Sequence, residues 1–411
     1  MLRSLLPKSY HKLLSLPLLG PISDGFDDWL AAAGFTRGSR EFSIRMLPRA
    51  DAILRRRVDK VAQLSHPVLH DCWKALMKVY PCGAGTVHTL ERYLIASALI
   101  VDGRKKSPQT SALSEKYADH LRQVRGFAVS TVSSHRRTTQ SFLQHLKEAG
   151  VAVGRIQAGN IETYISKAGK RLSRASLQHD VAALRGFLRF LATEGKLPAA
   201  LNLQIDTPRL YRLEKLPRAV PWEVVAKLLS SMETATSMGL RDYAMFVLIA
   251  TYGLRASEVI AIDLDDIRWR QGVLRIHQRK TSSPLELPLT NEALSALVKH
   301  LKRTPPPAPY RKVFMRMRAP IGVLKPTAVT EAFQSLVRSS GLDIPYQGPH
   351  CLRHSYALHL LKCGTPLKTI GDILGHRTAE ITSMYLRLAT GDLREVALAV
   401  PGKPAGKGQK R

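Results

Sequence analysis

Apolar residues recur along this chain mainly at spacings of three and four, the period of amphipathic helices, and only briefly in the manner of strands. The clearest helix is predicted over 174–191, where Leu177, Val181, Leu184, Leu188 and Leu191 fall on one face and Arg174, His179, Arg185 and Arg189 on the other. Helical patterning also fills 26–54, and a similar arrangement returns over 117–146. In both stretches a short helix ends at Gly-Phe (Gly34-Phe35 and Gly126-Phe127). A second helix then ends twenty residues after that glycine, on Leu54 and Leu146. An internal repeat of a small helical unit gives this pattern; so does the commonest helix stop signal used twice.

Beyond residue 216 the pattern changes. Helices are predicted over 222–231, 240–252, 291–303, 327–340, 350–363, 366–374 and 379–386, the second strongly apolar. Short strands are predicted at 273–278 and 285–289, joined by a tight connection containing Ser283-Pro284, hence a β-hairpin. Polar, proline-bearing stretches at 102–110 and 201–218 mark boundaries, and PPPAP at 305–309 is a stiff break. The expected organisation is a helical accessory region at 1–105, a helical domain at 111–200, a mixed α/β domain at 216–398 and a tail at 401–411. That tail holds four positive charges and no acid, and is expected to be disordered. The fold class is mainly α with a small β-sheet.

Charge narrows the function. Sixty-two Lys and Arg against 32 Asp and Glu leave +30 over 411 residues, a field that collects polyanions. Hydrophobic residues at 45% and charged residues at 23% fit a packed globular chain. No apolar run approaches the roughly 18 residues that span a bilayer. The stretch 13–19, broken by Ser15 and Pro17, makes a poor secretory signal. Cys72, Cys82, Cys351 and Cys363 form no CxxC pair, and the reduced cytoplasm is the expected compartment. Basic side chains recur at Arg136, Arg137, Lys167, Lys170 and Arg171, beside the helix bearing Arg174, Arg185 and Arg189. They are expected to form a surface that tracks phosphates, the alternative being a solvated helix face.

Five stretches of the C-terminal half carry chemistry together: TYGLRASE (251–258), QRKTSSPLELPL (278–289), HCLRHSYALHLL (350–361), LGH (374–376) and Tyr385. Two fork-shaped guanidiniums, Arg255 and Arg353, suit the non-bridging oxygens of a pentavalent phosphorane. Lys280 is the candidate to protonate a leaving oxygen. His350 and His376 can hold a phosphate oxygen or accept a proton. A tyrosine can attack phosphorus and form a covalent link. With cationic side chains in these roles, neither a metal nor another cofactor is called for. Each residue also has an ordinary reading. Arg255 pairs with Glu258, Arg279 adjoins Lys280, His354 and His359 compete with His350, and Tyr346 and Tyr356 compete with Tyr385. The thiols of Cys351 and Cys363 read as buried and structural.

In order and spacing these motifs resemble those of the tyrosine recombinases, the phage-integrase family. The resemblance implies a helical core-binding domain followed by a mixed α/β catalytic domain. It makes Arg255 the first catalytic arginine, Lys280 the hairpin lysine, His350 and Arg353 the HxLRH box, His376 the LGH box and Tyr385 the nucleophile. It further implies double-stranded DNA as partner and a 3′-phosphotyrosyl intermediate. The expected assembly is a homo-tetramer on DNA or a hetero-assembly with related recombinases, with 392–400 docking on a neighbour. The long N-terminal region suggests a recombinase of a mobile element, acting in the cytoplasm at the nucleoid. A type IB topoisomerase and a non-catalytic DNA-binding relative are the two rival classes.

Overall fold

The computed structural model describes residues 2–101, 108–203, 205–211, 214, 216–278, 284–376 and 378–388. Lys280, the hairpin connection 279–283, the segment 392–400 and the tail 401–411 lie outside them. The chain forms two compact units, one within Met1–Trp29 and Arg37–Glu214, the other within Leu30–Thr36 and Lys215–Arg411.

After two short helical turns, the N-terminal residues form α1 (Ser23–Ala32), α2 (Arg37–Leu54), α3 (His66–Val79) and α4 (Pro81–Ala96). Four more helices follow: α5 (Pro108–Gln123), α6 (Val129–Glu148), α7 (Ala158–Gly169) and α8 (Arg174–Thr193). Helix α8 starts where the Ser173 hydroxyl accepts the Ser176 amide, a capping bond that satisfies a donor the helix itself leaves open. Its predicted stripe is buried at Val181, Leu184, Leu188 and Leu191, packed with Phe142, Leu143 and Leu146 of α6.

The opposite face of α8 is less open than its charges suggest. Arg185 is half-buried and donates from Nη2 to the Ile205 carbonyl, tying down the chain that follows α8. Arg174 pairs with Glu214, and Arg136 of α6 pairs with Glu115. Arg137 and Arg189 are exposed.

The second unit opens with α9 (Trp222–Ser230), α10 (Ser237–Tyr252) and the short α11 (Ala256–Val259). Strands β1 (Ile267–Arg268), β2 (Val273–His277) and β3 (Pro284–Pro288) pair antiparallel in that order, with Leu274 opposite Leu287 and Ile276 opposite Leu285. The sequence foretold β2 and β3. The two-residue β1 and the small pair β4 (Met315–Arg316) and β5 (Gly322–Val323) are too short to show a period. Helices α12 (Asn291–Arg303), α13 (Pro326–Ser340), α14 (His350–Lys362), α15 (Leu367–Leu374) and α16 (Ala379–Ser383) complete the unit, with a 3-10 turn at Met384–Leu388. Helix α10 is the centre of the core. Seven consecutive residues, Ala244–Ala250, are buried among Leu274, Leu297, Phe333 and Leu352. A helix buried all round carries no amphipathic signature, which is why its sequence reads as one apolar block. Mainly helical with a small antiparallel sheet is thus the architecture observed.

Candidate active site

Two helix ends and one arginine organise the site. Helix α10 stops at Gly253 (φ +63°) and α15 at Gly375 (φ +60°), both left-handed C-caps. Glycine is needed at both positions for space as well as for φ. A Cβ on Gly253 would stand 2.7 Å from Leu374 and 2.8 Å from Tyr356, and one on Gly375 would run into the Gln278 side chain. Arg353, on the first turn of α14 and 3% exposed, donates from Nη1 to the Gly253 carbonyl at 2.6 Å and from Nη2 to the Leu374 carbonyl. The guanidinium therefore sits where two helices present their electronegative ends. Burial, together with the neighbouring Arg255, holds it down at about 10, with Glu258 and Tyr385 pulling the other way.

Each tethered turn delivers one candidate side chain. Two residues after Gly253 comes Arg255, at the start of α11. Its amide donates to Glu258 at 2.8 Å and its Nη1 to the other Glu258 oxygen at 2.5 Å. Glu258 is 3% exposed, and with both oxygens engaged it fixes the arginine's backbone and side chain together. Directly after Gly375 comes His376, whose Nδ1 bonds the Thr382 hydroxyl at 2.9 Å. Its ring stacks on Tyr385 at 6.4 Å between centroids. Burial and the positive charges of Arg353 and Arg255 push the His376 imidazole down to about 4, so it is neutral at pH 7.

Tyr385 is 1% exposed, packed with Ala357, Ile370 and Leu374. Burial raises its hydroxyl above the usual phenol range, while Arg353 and Arg255 oppose the rise. Its oxygen lies 3.1 Å from Nδ1 of His354. That histidine is also held down at about 4, first by burial and then by Arg353 and Arg218. A neutral ring with its proton on Nε2 accepts the phenol hydrogen at Nδ1. His350 is exposed at the start of α14, and its ring meets His354 edge-on at 4.6 Å.

The structure thus gathers Arg255, Arg353, His376 and Tyr385, with His350 at the rim; Lys280 lies outside the described residues. His354, Glu258 and Thr382 join them. In the sequence His354 ranks behind His350, and Glu258 reads only as an ordinary surface partner of Arg255. The sequence carries a signal for two of the three: three- and four-residue spacings put Glu258 beside Arg255 and His354 beside His350 on their helices. Of the two thiols expected to be buried, Cys351 and Cys363, only the first is. Cys351 is buried and its thiol is pushed up to about 12, but Cys363 is exposed, because it caps the end of α14 where the helix leaves the core. Among the described residues no group of three or more His, Cys, Asp or Glu is placed to hold a metal ion, and no helix is long and apolar enough to cross a membrane.

Residues 219–391 match the phage integrase family, and residues 115–195 match the phage integrase N-terminal SAM-like domain. The protein y4rA of Sinorhizobium fredii, an integrase/recombinase by name, is 32% identical over 291 residues, 70% of this chain and 71% of its own. The tyrosine recombinase XerD of Listeria monocytogenes is 28% identical, over 69% of this chain and 96% of its own. Among solved structures, the XerH site-specific recombinase bound to palindromic difH substrate, a post-cleavage complex, aligns with a TM-score of 0.53 at 17% identity, covering 74% of this chain and 92% of that one. The chain belongs to the phage integrase family, the tyrosine recombinases, and is accordingly a DNA breaking–rejoining enzyme.

Proposed function

We propose that this protein is a site-specific recombinase that breaks and rejoins duplex DNA through a 3′-phosphotyrosyl link on Tyr385. The observation that carries the reading is Arg353, which draws the turns bearing Arg255 and His376 together around the Tyr385 hydroxyl. Arg353 spends two of its five N–H donors on those turns, leaving three for the non-bridging oxygens of a phosphate. Arg255, steadied by Glu258, supplies the second guanidinium, and together they offset charge that develops on the phosphorane. The Tyr385 oxygen forms a bond to phosphorus as the bond to the 5′-oxygen breaks. The phenol proton passes to His354 and outward through His350, the ring that connects it to the surface. The departing 5′-oxygen takes a proton, in this reading from Lys280. Attack by a 5′-hydroxyl of a partner strand reverses the step, conserving the phosphoester bond energy.

Because Tyr385 is 1% exposed, a phosphate reaches its hydroxyl only once the residues covering it give way. In this reading four protomers hold two duplexes, with 392–400 reaching a neighbour and 111–200 clasping DNA through Arg137 and Arg189. Arg136, Arg174 and Arg185 serve DNA only by exchanging their internal partners for phosphate. The cytoplasm and nucleoid follow from that substrate. A mobile-element role is favoured by the region preceding residue 115, since the XerD relative is matched over 96% of its length but only 69% of this chain.

The test is a nicked suicide substrate incubated with the full chain in excess EDTA. Wild type should form a covalent protein–DNA adduct, because side chains supply the positive charge. Tyr385→Phe should bind DNA and form none. An adduct with the Phe variant, or no wild-type adduct until magnesium is added, overturns the mechanism. Relaxation of a single supercoiled duplex by lone protomers would favour the type IB topoisomerase reading.

A further inference from the structure

The region ahead of residue 97 repeats the order of elements and the burial pattern of the SAM-like region. Helices α1–α4 and α5–α8 share one plan. A helix ends at a positive-φ glycine followed by phenylalanine, a long helix comes next, then a 3-10 turn, then two helices. The elements keep register. The starts of α2 and α6 (Arg37, Val129), of the 3-10 turns (Val61, Val153) and of α3 and α7 (His66, Ala158) are each 92 residues apart. Buried positions keep the same offset, as Leu54 with Leu146 and Leu69 with Ile161 show. After two more residues the last helices align as VHTLERYL (87–94) and VAALRGFL (181–188), with Val, Leu and Leu buried at the same three places.

One packing detail recurs with its parts exchanged, one position out of the 92-residue register on the first helix. In the first copy Phe26 meets Tyr93 at 5.4 Å between centroids; in the second Tyr117 meets Phe187 at 5.3 Å. Tyrosine and phenylalanine have exchanged helices, and the glycine that makes room for the hydroxyl has exchanged with them. A Cβ on Gly25, just before Phe26, would stand 2.5 Å from the Tyr93 oxygen. A Cβ on Gly186, just before Phe187, would stand 2.6 Å from the Tyr117 oxygen.

Part of the surface recurs as well, although exposed Arg56, Arg57, Lys60 and Lys74 fall opposite Glu148, Ala149, Ala152 and Ser166. Exposed cations occupy matched positions at the 92-residue offset: Arg45 with Arg137, Arg55 with Lys147 and Lys78 with Lys170. Core positions recur because a fold needs them; folding does not require these three exposed charges to recur, and a phosphate ligand gives them a common use. We propose that 23–96 is a second copy of the SAM-like module and a second site for duplex phosphates, using Arg45, Arg55 and Lys78. It takes a stretch of DNA beyond that held by 115–195. It is the weaker of the two, because Asp24 and Asp28 on α1, the Glu41 partner of Arg45 and the Asp51 partner of Arg55 dilute its field. The proposal rests on the DNA-binding reading above.

Full-length protein should be titrated with random-sequence duplexes of about 20 and about 40 base pairs over a range of salt, each neutralised phosphate contact contributing about 0.9 to the slope of log affinity against log salt. Neutralising Arg45→Ala, Arg55→Ala and Lys78→Ala together should leave short-duplex affinity near wild type and reduce the long-to-short affinity ratio at least several-fold. The salt slope on the long duplex should flatten by about two to three units. Arg137→Ala with Lys147→Ala and Lys170→Ala should weaken both duplexes. An unchanged long-to-short ratio and slope in the first triple variant, with an unchanged melting temperature, overturns the second site and leaves DNA binding standing. Failure of wild type to bind either duplex overturns the DNA reading itself.

Discussion

Arg353 and Gly253 lie a hundred residues apart in the chain, and the Nη1 of one rests 2.6 Å from the carbonyl oxygen of the other. The same guanidinium reaches Leu374, so one side chain closes two turns that local sequence leaves independent.

A lysine cannot reproduce that bridge. Its ammonium is a point charge without the planar fork, and one of the two carbonyls would lose its partner in a buried site. Arg353→Lys should destabilise the protein by about 1–3 kcal/mol, the cost of a buried polar group left unsatisfied. It should also reduce cleavage by orders of magnitude. Denaturant unfolding and single-turnover cleavage check this; wild-type stability would show that the bridge carries no load.

Acid should unfold the site before the carboxylates titrate. His354 and His376 sit at about 4 in the fold, against about 6.5 for a free imidazole. Between those values the unfolded chain binds more protons than the folded one, so stability falls as pH drops from about 6.5 to about 4. Above that window the contribution is complete. Replacing both histidines with glutamine should flatten the dependence of stability on pH across this range. Denaturant melts at half-unit intervals would reveal the change, and an identical profile in the double variant would place the acid sensitivity elsewhere.

The exchanged tyrosine–glycine pairs predict coupled mutations. Alanine at Gly25 or Gly186 crowds a tyrosine hydroxyl, and overpacking of this kind costs about 1–3 kcal/mol. Removing the hydroxyl should relieve it. Gly25→Ala with Tyr93→Phe, and Gly186→Ala with Tyr117→Phe, should each be more stable than the sum of their single changes by about 1 kcal/mol. Double-mutant cycles on unfolding free energy measure the coupling, and additive cycles in both pairs would deny the shared packing.

How much of this was legible in the chain depends on what each residue had to satisfy locally. The motifs around Arg255, Arg353, His376 and Tyr385 stand out because residue type and spacing are both constrained. The stripe of α8 and the strands β2 and β3 declare themselves by period. Where a partner comes from far along the chain, the pattern is silent. Arg185 reads as a surface cation on its helix, yet the chain near Ile205 returns to cover it. Glu258 reads as a surface residue, yet the core closes over it. The Gly-Phe pair hinted at a repeat from two short stretches. Its extent through the last helices lies in the burial pattern and not in a constant spacing, because two extra residues before α8 break the simple offset.

The two acceptors that hold Arg353 are main-chain oxygens, and every amino acid at those positions carries one. No missense change can delete them, although a change at Gly253 or Gly375 can move them. The candidate site therefore depends on a single codon for this donor and on two glycine codons for the geometry of its turns. Such an arrangement leaves the bridge's hydrogen bonds indifferent to which side chain stands at position 374 and sensitive to every change at position 353.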